Sequence, residues 1–585
     1  MAIDSISTAQ GFIQDIARIT SDNAGRQAHA FSDLENQAFT FAEKEARLHL
    51  KQVNLVEGRD FRIDKDAIGN LLVTVFGQDR SKTVMAGSHL DSVLNGGKHD
   101  GVDGVASALA YLESFVKSEK EGPNYTFVVF RAEESSPMTG EACLGSKVLT
   151  GMITEERLAA VTYGLRKEER RLLQDVFGPR QWEDIMKLRD TPWIRDGTLY
   201  LPKRHDHDGS GGPSDMKVTV FNEVHIEQSA VLQTGGYHAG IVSHIGGSTN
   251  RKFTLDSSHL PSNTLETHTS PCAVWNLVFK GQEAHTGGTP HNGAENKNGS
   301  TTEWHRRDAL VGACAFVQEL LTQPDCNISV SSLTVPRETG FTTVPAEQHL
   351  TIHAPAGQED RANDVIQKVA DKICRLKDLN FSVTRGIESS TPVTVLDRNS
   401  VLKHVSIPLI VEQNARVISR EVASLFGGKV RATVTDATLD TCGIRMNLNT
   451  RDINPRKRDQ LLDAIRTQMF ACGIDTEALF LAKAAVTEHI PLDTDVVRIA
   501  EEEAWALGQQ TLTMPSQPSH DAACMQKAGV PTGMVYEAHD GHSHIATEFV
   551  DNRQQVDAFT LHHSILDRYT GIGTRSSAKT RMLRK

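Results

Sequence analysis

Five short segments, spread over most of the chain, carry side chains that bind metal ions: G-S-H-L-D-S-V at 87–93, G-G-K-H-D-G at 96–101, F-R-A-E-E-S at 130–135, V-H-I-E-Q at 224–228 and G-H-S-H-I-A-T-E at 541–548. They supply His89, Asp100, Glu134 and His225. A further imidazole comes from a loop in which His539, His542 and His544 crowd together, and spacing alone selects none of the three. Imidazole mixed with carboxylate is a donor set that borderline-hard divalent ions such as zinc or manganese accept. Two such ions suit a hydrolase, and Glu133, left over beside Glu134, is free to act as a base. In the H-x-D pair, Asp91 can hold a ligated His89 in one orientation and raise its basicity. Asp100 lies between Gly-rich flanks, and its two oxygens make it a natural bridge between cations. The Glu133–Glu134 pair ends an apolar strand, where two like charges cost energy unless a cation or a proton neutralises one.

The elements that must position these residues alternate. From about residue 22 to 150, helical spacing at 38–52 and 104–116 alternates with strand-like runs at 70–76, 83–86 and 126–130. Such alternation predicts an α/β sheet, whose ligands collect at the carboxyl ends of strands; His89 and Glu133/Glu134 fall just past two such ends. A strand at 218–224 leads into His225. His205 and His207 lie in a Gly/Pro/Asp-rich stretch that reads as a solvated loop. The middle of the chain reads as two copies of one β-α-β-β-α unit. The first has strands at 274–281, 328–335 and 349–353 with helices at 307–321 and 359–376; the second has strands at 381–384, 429–435 and 444–449 with helices at 407–426 and 456–469. After residue 484 the alternation returns, with helices at 496–507, 522–528 and 554–569 and a strand at 532–536. The metal-binding segments flank the repeated block. The expected architecture is therefore a discontinuous catalytic domain, 1–245 with 485–585, and an inserted domain, 246–484, made of units at about 272–376 and 377–484.

Composition narrows the partners. At 585 residues two or more domains are expected. A formal net charge of -12 argues against a nucleic-acid partner. No run approaches the roughly 20 apolar residues of a membrane span, and the start of the chain does not read as a secretory signal. The basic stretch 575–585 reads as a solvated end. Eight widely spaced cysteines without a C-x-x-C pair suggest neither a thiolate metal site nor a disulfide scaffold, and fit a reducing cytoplasm.

In family order, G-S-H-L-D-S-V, G-G-K-H-D-G-V, the E-E pair followed by C-L-G-S at 143–146, H-I-E-Q, A-H-T-G-G-T-P at 284–290, R-R-D-A-L at 306–310, S-H-D-A at 519–522 and S-H-I-A-T-E resemble the motifs of M20-type metallohydrolases. Within these they resemble the hydantoinase/carbamoylase amidases, which include N-carbamoyl-L-amino acid hydrolases and allantoate amidohydrolases. The resemblance implies a zinc-exopeptidase-like catalytic domain, a mixed sheet flanked by helices, with an α+β lid. It implies two divalent ions, Zn2+ first with Mn2+ or Co2+ as alternatives. His89, Asp100 and His225 would hold one, and Asp100, Glu134 and His544 the other. Glu133 would deprotonate the bridging water, His285 would stabilise the oxyanion, and Gln228 and Arg451 would contact the substrate, a small molecule. The implied reaction is hydrolysis of a linear C–N bond in an N-carbamoyl, ureido or N-acyl amino acid. An exopeptidase or aminoacylase of the wider family, or a catalytically silent metal-binding relative, is the alternative. The chain departs from the family at Ser229, at H-T-G-G-T-P, at N-T-R (449–451) and in an insertion at 291–302, all parts that would read substrate. Relatives with one lid dimerise through it, so a doubled lid predicts a monomer, and a single lid a homodimer.

Overall fold

A computed structural model describes residues 2–118, 121–134, 138–164, 169–203, 213–256, 265–268, 272–282, 284–285, 307–323, 327–336, 343–344, 346–386, 393–396, 398–421, 431–440, 443–452, 455–472 and 485–572. The chain divides into two compact units, Met1–Ile245 with Ile490–Lys585, and Gly246–His489. His205, His207, the 291–302 insertion and the basic end lie outside the described residues.

The first unit is built on one mixed sheet. Its strands run in the order Ile490–Pro491, Ala239–Ile245, Thr532–Glu537, Asp215–Ile226, Asp79–His89, Pro123–Phe130, Leu71–Val75, Phe61–Lys65. The four central strands, 532–537, 215–226, 79–89 and 123–130, are mutually parallel, so their carboxyl ends share one edge. Strands covered on both faces read as long apolar runs, and Pro123–Phe130 (P-N-Y-T-F-V-V-F) is buried from Asn124 onward. One face is covered by the helices Ala2–Thr20, Asp33–Gln52, Val102–Val116 and Asn552–Thr570, with Phe12, Leu109, Phe115, Phe127, Phe559 and Leu566 in a shared core. The opposite face packs Phe130, Met216, Phe221, Met525 and Met534. Each such side chain contributes roughly 1.5–3 kcal/mol of burial. The strand and helix positions expected from periodicity in this unit are all present, within a few residues at their ends.

The stretch after residue 150 is more ordered than its charge suggests. Helices Glu155–Ala159, Leu173–Phe177 and Pro179–Asp190 bury Leu158, Leu173, Ile185 and Leu188 against Leu144 and Val148. Their apolar residues are few, so each helix is amphipathic only over a turn or two, which composition averages away.

The second unit is an antiparallel sheet in the order Asn380–Arg385, Cys272–Lys280, Glu347–Pro355, Ser329–Thr334, Arg431–Asp440, Gly443–Asp452, Gly247–Asp256, Ala485–Thr487. Helices Ala309–Leu321, Glu359–Lys377, Arg398–Glu421 and Pro455–Ala471 accompany it. The strand expected to open a second copy, 381–384, instead pairs with Cys272–Lys280 at the outer edge of the first four strands. The place beside Gly443–Asp452 is taken by Gly247–Asp256, from before the first copy. Strand pairing is non-local, so reading elements in chain order assigned this strand to the wrong neighbour.

Candidate metal centre

Each candidate ligand of the first unit sits at the carboxyl end of a parallel strand or in the loop that follows. His89 ends Asp79–His89, and Asp100 lies between that strand and helix Val102–Val116. Glu133 and Glu134 follow Pro123–Phe130, His225 is the penultimate residue of Asp215–Ile226, and His544 follows Thr532–Glu537. The parallel register alone brings these ends together.

Two glycines let the loops close in. Gly101, at φ 72°, lies under the His89 ring, and a Cβ there would fall 2.4 Å from the ring carbon Cε1. A Cβ at Gly104 would fall 2.3 Å from the Val224 carbonyl oxygen, so the helix carrying it can approach the sheet only as glycine. Ala132, Gln228 and His544 also hold positive φ (51°, 58° and 70°) without being glycine. Such backbone is stored where surrounding structure fixes it, commonly at functional sites.

The geometry makes Asp100 the shared member of two groups. His225 Nε2 is 3.1 Å and His89 Nε2 3.8 Å from Asp100 Oδ1. His544 Nε2 is 3.4 Å from Asp100 Oδ2 and 3.5 Å from Glu134 Oε1. Two sets of donor atoms, His89–Asp100–His225 and Asp100–Glu134–His544, each lie within 4.8 Å of one another, all buried. Nδ1 of His89 donates to the Asp91 carbonyl (3.2 Å) and Nδ1 of His225 to the Ile226 carbonyl (3.0 Å). A carbonyl can only accept, so both rings turn the Nε2 lone pair inward. His89 Nε2 is buried without a hydrogen-bond partner among the described residues. An orphaned imidazole nitrogen among carboxylates is what a cation fits, and the donor chemistry agrees.

Electrostatics point the same way. Burial pushes Glu133 well above the usual carboxylate range and Glu134 up to about 7. Burial also opposes ionisation of Asp100, yet the imidazoles of His225 and His544 outweigh it and hold that carboxyl well below its ordinary value. For His544 burial favours the neutral ring, but Glu134 and Asp100 raise it to about 9. So many buried ionisable groups are costly unless positive charge is shared among them.

The supporting residues include several whose tasks the sequence did not disclose. Asp91 acts less on His89, whose Nδ1 is 3.4 Å from its Oδ1, than on the neighbouring loop. Its two oxygens accept the backbone N–H groups of Glu133 and Glu134, each at 3.0 Å. Glu548 Oε1 accepts from the N–H groups of His99 (2.7 Å) and Asp100 (3.2 Å). The buried Arg26 donates to the carbonyls of Leu90 (2.7 Å) and Asp100 (3.3 Å). His520 packs edge-on against His225, ring centroids 4.3 Å apart. Glu548 had a signal as the last residue of its motif; Arg26 stands outside every motif. Gln228 donates to Asp100 Oδ2 at 2.9 Å, so its amide faces the shared carboxylate. Backbone alone is described for His285, in the short strand Ala284–His285, and for Arg451, in Gly443–Asp452 of the second unit.

The parallel strand ends of this sheet gather three imidazoles around a shared carboxylate, two groups of candidate metal ligands. The family model "Peptidase family M20/M25/M40" matches residues 85–568, and the chain belongs to that family. It is 31% identical over 244 residues to an uncharacterized hydrolase of Haemophilus influenzae, covering 41% of this chain and 50% of the relative. It is 25% identical over 333 residues to the N-carbamoyl-L-amino-acid amidohydrolase of Pseudomonas sp. strain NS671, covering 56% of this chain and 64% of the relative. These matches span between half and about two thirds of the relatives' length. Among solved structures, AtUAH in complex with glyoxylate is similar in fold, with a TM-score of 0.50 at 16% identity over 97% of each chain. Among the described residues no helix is long and apolar enough to cross a membrane.

Proposed function

We propose that the chain is a metal-dependent amidohydrolase that cleaves a linear C–N bond in an N-carbamoyl or ureido acid, or a related N-acyl amino acid. One observation carries the reading: Asp100 belongs to both donor groups, and Glu133, adjacent to a member of one, is 3.7 Å from His89 of the other. His89, Asp100 and His225 would hold one divalent cation and Asp100, Glu134 and His544 a second, with zinc first and manganese or cobalt as alternatives. The cations would acidify water and polarise the carbonyl oxygen of the substrate. Glu133 takes the proton of the attacking water and passes it to the leaving nitrogen. Gln228 orients the substrate beside Asp100, Arg451 grips its carboxylate and His285 stabilises the oxyanion. The substrate class follows the Pseudomonas relative, an amidohydrolase of N-carbamoyl-L-amino acids.

The second unit is, in this reading, a doubled lid of two β-α-β-β-α-β copies, one nested in the other. Strands 272–280, 329–334, 347–355 and 380–385 form the inner copy; Gly247–Asp256 before them and 431–440, 443–452 and 485–487 after them form the outer. The two meet through Leu333 and Leu439. A chain with both lids needs no partner to supply one, and a cytoplasmic monomer is the proposed working form.

The test is chelation followed by reconstitution with zinc, manganese or cobalt, assayed against carbamoyl, ureido, acyl and dipeptide substrates. Turnover should vanish with the metal, return with it and favour carbamoyl or ureido acids. Preference for dipeptides would move the assignment to an exopeptidase. Full activity without metal, or none with any metal and substrate, would refute the reading.

A further inference from the structure

Glu133 is gripped by a residue from outside the metal-binding segments. Cys143 precedes the short helix Leu144–Leu149 as its N-cap, in left-handed backbone (φ 53°). A capping residue ordinarily turns its side chain onto the first N–H groups of its own helix. Cys143 makes no such bond. The first N–H groups of the helix face the strand-end turn instead: Leu144 donates to the Ala132 carbonyl and Gly145 to the Arg131 carbonyl, each at 2.9 Å. A Cβ at residue 145 would fall 2.4 Å from that Arg131 oxygen, so only glycine lets the helix come this close.

Released from capping, the Cys143 side chain turns to the carboxylate. Cys143 holds Glu133 twice: its backbone N–H donates to the Glu133 carbonyl at 2.7 Å, and its S–H donates to Glu133 Oε1 at 3.3 Å. The Glu133 N–H is taken by Asp91 Oδ1 at 3.0 Å. The N–H, the carbonyl and one carboxylate oxygen are thus engaged, and Oε2 is the atom turned to His89 Nε2, 3.7 Å away. Both residues are buried, Cys143 at 2% and Glu133 at 6% exposure. A thiol shut from water beside a carboxylate keeps its proton, and an ionised carboxylate only accepts, so the sulfur is the donor of the pair.

We infer that Cys143 is a positioning residue for the base: by pinning Oε1 it fixes the rotamer of Glu133, so that Oε2 is the oxygen presented to the attacking water. A general base works only within hydrogen-bond reach of the proton it takes, and a carboxylate with both oxygens loose would divide its time among rotamers. A thiol suits the task because it is a weak donor, which orients the carboxylate while leaving most of its negative charge to Oε2. The inference deepens the amidohydrolase reading and rests on it for the task of Oε2; the pinning of Oε1 does not.

Two measurements on the zinc-reconstituted protein test it. The S–H stretch absorbs in an infrared window clear of other protein bands, and the difference between wild type and Cys143→Ala isolates one thiol among eight. The band should lie below that of an unbonded thiol and move up in Glu133→Gln, whose neutral amide is a poorer acceptor. A band at the unbonded position, or one that Glu133→Gln leaves in place, overturns the inference. In steady-state kinetics Cys143→Ala should lower kcat about tenfold, the worth of one hydrogen bond to a charged group, with KM changed by less than about twofold. Cys143→Ser, which restores a donor, should recover most of the loss, and zinc affinity by calorimetry should be the same in all three proteins. Wild-type kcat in Cys143→Ala overturns the inference, and so does an equal loss of rate and zinc affinity in both variants, which would make Cys143 purely structural. If the wild type turns over no substrate, the amidohydrolase reading fails, and the S–H band still decides whether Cys143 orients Glu133.

Discussion

At the residue scale, Glu133 and Glu134 are neighbours in sequence to which the proposed reaction gives different tasks, and substitution separates them. Glu133→Gln keeps the shape and the Asp91-held backbone but cannot accept a proton. Turnover should drop by at least about 10²-fold, the usual contribution of a general base, with metal content by elemental analysis nearly unchanged. Loss of metal with Glu133→Gln would mean that the two roles are exchanged. The candidate ligands were legible from sequence because imidazole and carboxylate at strand ends have few structural uses, and five such segments fell in one order. The choice of His544 over His539 and His542 was not legible from spacing. It depends on which ring faces Asp100, and His542 Nδ1 instead pairs with Asp540 at 2.9 Å. Arg26 and Glu548 were hidden for a related reason: each works through backbone groups of the ligand loops, and such contacts leave no pattern along the chain.

At the scale of elements, the centre is a set of loops fastened to parallel strand ends, and Asp91 fastens two of them. It follows the strand that ends in His89 and holds the turn of Glu133 and Glu134 through both carboxylate oxygens. Asp91→Asn replaces one accepting oxygen with an amide that cannot accept, leaving one N–H of the turn unpaired. Metal affinity should weaken about 10–100-fold, the range for residues behind metal ligands, as measured by calorimetric titration. The circular dichroism spectrum should be unchanged, and wild-type affinity would show that the turn holds itself. The sheet of the first unit was legible because its parallel strands are largely apolar and its helices periodic. The second unit was legible as elements but not as a sheet, because each antiparallel strand carries only local pattern while its neighbour is set by pairing across the chain.

At the scale of the whole molecule, the proposed doubled lid bears on assembly. Light scattering at assay concentration should give the mass of one chain, and mixing His285→Ala with Glu133→Gln chains should restore no activity. A dimer whose mixed chains regain turnover would refute the internal lid. The strand order of the first unit has a further consequence, in the order of synthesis. Asp215–Ile226 and Ala239–Ile245 are close in sequence, yet Thr532–Glu537 lies between them in the sheet. Translation reaches that strand on the order of 15–60 seconds after His225 has been made, at about 5–20 residues per second. Until then the sheet has two open edges where its centre belongs, and His225 has no neighbouring loop to bring His544. The inserted unit, contiguous from Gly246 to His489, can fold during that interval. The nascent first unit waits meanwhile with those edges open, and a ribosome that stops before residue 532 releases a chain unable to gather the candidate ligands.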